Sequence, residues 1–433
     1  MSIFSALNSG VSGLAAQSAK FGAISDNISN SSTIGYKRTG VQFSTLVTAN
    51  ATPGTYSAGG VMADLKTQVS RQGIVQTSAS ATDLAISGRG FFVVSAQPDG
   101  PGEGASNKRL TRAGSFAVDE NGNLKNTAGL FLQGWRLDEQ GRVPGGDPSR
   151  TSFGTLETVN LSSITGLVKP TSRIDFAANL PASRTGQTPA APSFSTSVDY
   201  FTRLGFTSRV TLEWQPSSVP NQWTLSLDDV NGNQLGAFQL DFHDGTAGPA
   251  GTLNAITPVG ATPPGSVDNA NGTISVTVDN QPITLSLGRS GATGGLTQWG
   301  DEYVPTKINK DGASYAPLER VEIGDDGVMT AVYRNGLRQA VYKMPLADVT
   351  NADGLRRMDG NAYQVSRESG DFYLWDAGTG TAGTISGGAL EASNVDIAEE
   401  LTSIIETQRA YSSNAKIIQT ADQMLDEVSR LMR

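Results

Sequence analysis

The run Phe4-Ser5-Ala6-Leu7-Asn8-Ser9-Gly10-Val11-Ser12-Gly13-Leu14 opens a Pro-free segment that reaches about Ser29, and its reading decides the fold. Phe4, Leu7, Val11, Leu14, Phe21 and Ile28 fall on the a and d phases of one heptad frame, with Ser18 and Ser25 in the skipped positions. The spacing predicts a helix with a narrow apolar seam. The other end repeats it: Ile397, Leu401, Ile404, Tyr411, Ala415, Ile418, Leu425 and Met432 share one frame in a stretch free of Pro and Gly from Glu391 to Arg433. Ser393, Asn394 and Asp396 stand before that stretch as candidate N-caps. A period of roughly 3.5 residues kept over several turns favours a supercoiled pair over a helix laid on a sheet. The two ends are therefore expected to form a coiled coil, with each other or with neighbouring copies.

Both helices are set off by loop-like runs, Ser29 to Gly35 and Gly378 to Gly388, and what lies between them reads as strands. Phe116 and Val118 lead into Asp119-Glu120-Asn121-Gly122-Asn123 and out through Leu124, a hairpin with its turn residues in place. Trp223, Leu225 and Leu227 turn through Asp228-Asp229-Val230-Asn231-Gly232 into Phe238, Leu240 and Phe242. Ile274, Val276 and Val278 turn into Ile283, Leu285 and Leu287, and Asn335-Gly336 closes a further pair. A period of two with one polar face predicts antiparallel sheets. The expected chain is mostly β with terminal α-helices: helical ends at 1–30 and 390–433, a connecting segment at 31–71, an inner β domain at 72–150 and 301–389, and an outer β domain inserted at 151–300.

Composition narrows the function. The 433 residues carry a net charge of -9, with no clustered Lys or Arg, which argues against a nucleic-acid partner. Cys is absent and His243 is the single His, expected as an exposed strand-end residue; that removes disulfides, Cys-based zinc sites and Ser-His or Cys-His catalysis needing a second His. Charged residues make up 17%, below the usual quarter or so, as suits an assembling or secreted β-rich protein. No stretch is long enough for a transmembrane helix, so no membrane insertion is expected, and the first residues lack a basic leader, so any export is expected to take a route other than a cleaved secretory signal. Asp119-x-Asn121-x-Asn123 and Asp229-x-Asn231-x-Asn233 begin like calcium loops but lack the Gly and Glu that complete them. Gly88-Arg89-Gly90 lacks the third Gly of a dinucleotide fingerprint. No catalytic, cofactor or metal site is expected, and the chain reads as a non-enzyme.

Ser5-Ala6-Leu7-Asn8-Ser9-Gly10-Val11-Ser12-Gly13-Leu14, with Asn27-Ile28-Ser29-Asn30 and Thr33-Ile34-Gly35-Tyr36-Lys37, resembles the N-terminal signature of the bacterial flagellar rod and hook family. Ser393-Asn394-Val395-Asp396 with Gln408-Arg409-Ala410-Tyr411 and Asn414-Ala415-Lys416 resembles its C-terminal one. Gly88-Arg89-Gly90-Phe91-Phe92, Thr111-Arg112-Ala113-Gly114 and Leu132-Gln133-Gly134-Trp135 resemble its inner β domain. The large insertion favours the hook members over the shorter distal rod members. The resemblance implies a subunit exported through the type III apparatus that polymerises outside the cell into a curved tube between rod and filament. Its implied partners are further copies of itself, the distal rod protein, the hook cap and the hook-filament junction proteins. Both heptad seams are then expected at assembly interfaces, and Tyr36, Lys37 and Arg38 in a subunit-contact loop. The competing class is a cell-surface adhesin or glycan-binding β protein, which accounts for the middle but not for the ends. The helical ends are expected to order only on assembly, since flanking Ile3, Ile24, Ile405 and Val428 would otherwise stay exposed.

Overall fold

A computed structural model describes residues 3–46, 59–100, 107–188, 191–260 and 266–431. Two helices bracket the β-rich body, α1 at Ile3–Ser29 and α2 at Ile397–Leu431. No described helix is long and apolar enough to cross a membrane. Asp396 caps α2, its Oδ1 accepting the N–H of Ala398 at 2.9 Å and of Glu399 at 3.3 Å. Met432 of the expected C-terminal seam lies outside the described residues, and so do residues 47–58 of the connecting segment. The described part of that segment contains a β-hairpin, Thr39–Thr45 paired antiparallel with Val61–Thr67, packed along α1, where Ser12 Oγ accepts the Val61 N–H at 3.2 Å.

The chain divides into two units. The first comprises residues 1–164, 320–332 and 338–433, and its β portion centres on the strand Phe91–Ser95, every residue of which is buried. That strand pairs antiparallel with Lys108–Thr111, with Phe131–Arg136 and with Leu346–Val349. Trp135, Phe91, Leu110, Val349 and Tyr363 are part of the core behind it.

The second unit, residues 165–319 with 333–337, is a sandwich. One layer is a five-stranded antiparallel meander from Phe194–Phe201 to Leu253–Val259; the other is a six-stranded sheet through Arg173–Leu180. Both inner faces meet in one core containing Trp214, Trp223, Leu225, Phe238 and Phe176, with Phe176 stacked on Trp214 at 5.5 Å.

The turns form where the sequence places them. In Asp119 and Asp229 the Oδ1 atom accepts two backbone N–H groups of its own turn, from Asn121 and Asn123 and from Asn231 and Asn233. Four expectations need correction. Residues 151–164 belong to the first unit, because Phe153 stacks on Phe372 at 3.9 Å and Leu156 is buried in that core. Residues 301–319 belong to the second, because Val304–Lys310 pairs with Arg173–Leu180. The sheets are not wholly antiparallel: Arg173–Leu180 runs parallel to Gln281–Ser286 and to Thr297–Gln298. Alternation reports which face is buried and is silent on strand direction; here the whole meander serves as the crossover that a parallel return requires. His243 lies just past the end of its strand and is half-buried rather than exposed.

Two units with separate cores predict that damage to one leaves the other intact. Leu225→Ala is expected to lower the stability of the sandwich unit by about 2 to 5 kcal/mol, and calorimetry on the full chain should show one transition shifted and the other unmoved. A common shift of all unfolding would contradict the division.

Candidate assembly interface

The chain ends join the first unit through a buried charged knot. Glu391 is fully buried at the end of the strand Ala389–Glu391. Its Oε1 accepts Lys37 Nζ at 2.6 Å and the Gly73 N–H at 2.8 Å, and its Oε2 accepts Arg112 Nη1 at 3.0 Å. Lys37 Nζ also donates to the Arg71 carbonyl at 2.8 Å, and Arg112 Nη2 to the Gly88 carbonyl at 2.7 Å, while the Arg112 guanidinium lies over the Phe91 ring. Burial pulls the Lys37 amine below the usual lysine range, and the Glu391 carboxylate opposes that pull. The Gly35 N–H donates to the Glu391 carbonyl at 2.8 Å. Gly35 has φ +68° and sits so close to Ala113 that a Cβ would come within 2.6 Å of its nitrogen, so the position demands glycine twice over.

A second polar cluster continues from the first into the helices. Asn27, buried in α1, donates through Nδ2 to the Thr39 carbonyl and to Glu400 Oε1 of α2, at 2.9 and 3.1 Å. Its Oδ1 accepts the Thr39 N–H and the Tyr36 hydroxyl. Arg38 pairs with Glu400 and Glu399; burial works against its charge, but those partners outweigh the penalty and raise its pKa. Asn394 Oδ1 accepts the Arg38 N–H at 2.7 Å, and its Nδ2 reaches the Arg71 carbonyl at 2.9 Å. The expectation of a subunit-contact loop at Tyr36, Lys37 and Arg38 is thereby corrected. Tyr36 and Lys37 are buried within the chain, half-buried Arg38 is paired with α2, and all three serve the knot.

The helices pair antiparallel, since Asn27 meets Glu400 whereas Gly13 lies against Asn414 and Gly10 against Ile418. A Cβ at Gly13 would come within 2.9 Å of Asn414 Nδ2, and one at Gly10 within 3.1 Å of Ile418 Cγ1. Gly10, Gly13, Ala16, Ala23 and Ile24 are buried on α1, and Glu400, Thr407 and Ala421 on α2. Ile24, expected in the open, is covered; Ile405 is exposed. Of the heptad positions, Ile418 packs at the intrachain crossing against Gly10, whereas many of the others face away from it. Phe4, Val11 and Phe21 are exposed and Leu7, Leu14 and Ile28 half-buried; Ile397, Leu401 and Tyr411 are exposed and Ile404, Ala415, Ile418 and Leu425 half-buried. A row of large apolar side chains therefore remains available on each helix. Among the described residues no group of three or more His, Asp or Glu could hold a metal ion.

Three family models match in chain order: "Flagella basal body rod protein" over residues 7–37, "Flagellar hook protein FlgE/F/G D1 domain" over 85–166 and "Flagellar basal body rod FlgEFG protein C-terminal" over 386–431. Each contributes to the knot, the first Asn27 and Lys37, the second Arg112, the third Glu391 and Glu400. The chain is 34% identical to the flagellar hook protein FlgE of Brucella abortus across all of both chains. It is 29% identical to that of Escherichia coli, covering 98% of this chain and all of the relative. A solved structure, the Helicobacter pylori flagellar hook protein FlgE2, aligns at 15% identity and a TM-score of 0.46, over 72% of this chain and 98% of that one.

Removing the one carboxylate would leave two buried cations facing each other. Glu391→Gln is expected to destabilise the first unit by about 3 to 5 kcal/mol, read by denaturant unfolding of the full chain, with the sandwich transition unmoved. A loss below about 1 kcal/mol, typical of an exposed pair, would show that the knot is not structurally important.

Proposed function

The chain belongs to the flagellar hook protein FlgE family, and from that premise we propose that it is a structural subunit of the bacterial flagellar hook, assembling into a curved, flexible tube that links rod to filament. The observation that carries this reading is identity to hook proteins along the full length of both chains, inserted unit included. A distal rod subunit has no such insertion to align, and an adhesin has no use for two apolar helix rows.

The assembly surface in this reading is the outward side of the helix pair: Phe4, Val11 and Phe21 on α1, and Ile397, Leu401 and Tyr411 on α2, with Leu7, Leu14, Ile28, Ile404, Ala415, Ile418 and Leu425 at its margins. Covering one such Leu, Ile or Phe is worth roughly 1.5 to 3 kcal/mol. Several per subunit, repeated along a tube, offset the ordering of both helices. The further partners are the distal rod, cap and hook-filament junction proteins at the two ends of the tube. In this reading the subunit travels there through the type III apparatus and works outside the cell.

Electron micrographs of concentrated protein test the reading; tubes or rods are expected, and a monomer at all concentrations opposes it. Leu401→Asp places a charge on the exposed row, so polymer should be lost while both unfolding transitions stay within about 0.5 kcal/mol of the wild type. Intact polymerisation by that variant would remove the α2 row from the interface. In the isolated subunit, amide-exchange protection of the helices should be highest around Asn27 and Glu400 and fall towards Phe4 and Leu425, because the knot holds one end of the pair and the hairpin reaches α1 only as far as Ser12 and its neighbours. Uniform protection would mean that the helices need no neighbours.

A further inference from the structure

Away from the terminal knot, the first unit buries a second amine whose polar neighbours form one closed ring. Lys108 stands opposite Ser95 of the strand Phe91–Ser95, and Gln133 lies on the strand at that strand's other edge. Lys108 Nζ donates to Gln133 Oε1 at 2.5 Å and to Asp99 Oδ2 at 2.8 Å. Gln133 Nε2 donates to Thr158 Oγ1 at 3.0 Å, and the Thr158 hydroxyl donates to Asp99 Oδ1 at 3.2 Å, which completes the ring. Further bonds fix its members: Gln133 Nε2 to the Phe131 carbonyl, the Asp99 N–H to Thr158 Oγ1, and Ser95 Oγ to Asp99 Oδ2. Lys108, Gln133 and Thr158 are buried, and the Asp99 side chain is 9% exposed.

A primary amine, a carboxamide and a carboxylate thus meet where bulk water is kept out. We infer that Lys108 and Gln133 condense to an intramolecular isopeptide bond, with Asp99 as proton acceptor and Thr158 as relay. The Nζ lone pair attacks Gln133 Cδ and forms the new N–C bond, while Asp99 takes the proton that Nζ sheds. Asp99, turned about its Cβ–Cγ bond, returns that proton through the Thr158 hydroxyl to Nε2, the Cδ–Nε2 bond breaks, and ammonia leaves. One amine and one carboxamide give one secondary amide and one ammonia; nothing is oxidised or reduced. Burial draws the amine below the usual lysine range, with Asp99 opposing, and so raises the fraction of neutral nucleophile. The bond would tie together the two strands flanking the central strand, a covalent staple in a chain without Cys.

Mass spectrometry of the wild-type full-length chain, held at alkaline pH after purification, decides the matter whether or not any variant folds. The expected mass lies one ammonia below that of the sequence, and digestion releases a branched peptide joining the segments of Lys108 and Gln133. Its yield should grow faster as pH rises. Gln133→Glu should lose one water in place of ammonia, and Lys108→Arg should keep the sequence mass. An unreduced wild-type mass leaves only a buried ion pair and overturns the inference. So does an ammonia loss that maps to a succinimide at an Asn-Gly turn with no branched peptide.

Discussion

One buried carboxylate facing two buried cations is the constraint on which the architecture of this subunit rests. Each ion taken out of water carries a penalty of several kcal/mol, and the mutual attraction repays it only when the remaining polar atoms are also satisfied. Glu391 meets that condition by accepting a backbone N–H as well, and Lys37 by donating to the Arg71 carbonyl; Arg112 donates to the Gly88 carbonyl but leaves its buried Nε unpartnered. Such a site adds little stability beyond an apolar one, but it is intolerant of missing partners. Its three ions come from the beginning, the interior and the end of the sequence, so the knot closes only when all three segments are in place.

That intolerance explains why two chain ends nearly four hundred residues apart are held in one register. The strand Val75–Thr77 pairs with Ala389–Glu391, which sets the carboxylate; Asn394 then clamps the backbone at Arg38 and Arg71, and Asp396 starts α2. Asn27 and Glu400 carry the same register into the helix pair. A strand pair, a buried ion, an amide clamp and a helix cap follow one another within ten residues, each fixing the direction of the next.

Much of this was legible in the sequence, and the remainder was hidden for identifiable reasons. Helices, hairpins and their turns are local: periodicity placed both helices, and the Asx residues at Asp119 and Asp229 marked the turns they close. Gly35 and the neighbouring Tyr36 and Lys37 drew notice as a motif, but their task did not show, because a Lys in a loop reads as solvated until a distant Glu is brought to it. Pairing Lys37 with Glu391 spans most of the chain, and no spacing rule reaches that far. The heptad frames were present but did not describe the contact within the chain. Gly10 and Gly13, which interrupt an apolar pattern, turned out to mark the crossing with Ile418 and Asn414. Absence of a side chain is the weakest signal a sequence can carry. The unit boundaries moved for a similar reason, since Phe153 and Leu156 sit among turn-rich residues and only their burial assigns them to the first core.

The choice of small residues for the intrachain contact has a physical consequence for assembly. A helix pair crossing at glycines brings the backbones close but buries little apolar surface, and Gly in a helix interior costs about 1 kcal/mol relative to Ala. The pair is consequently weak by itself and depends for its alignment on the knot at one end and on the hairpin packed along α1. Had Phe4, Val11, Leu401 and Tyr411 been used to zip the two helices together, the pair would be stable alone and would present a polar outer side. By packing through Gly10 and Gly13 instead, the chain keeps its large apolar side chains outward, aligned by a buried ion cluster that water cannot loosen. Alignment is thereby settled within the chain, and in the proposed assembly the hydrophobic driving force is left for contacts between subunits.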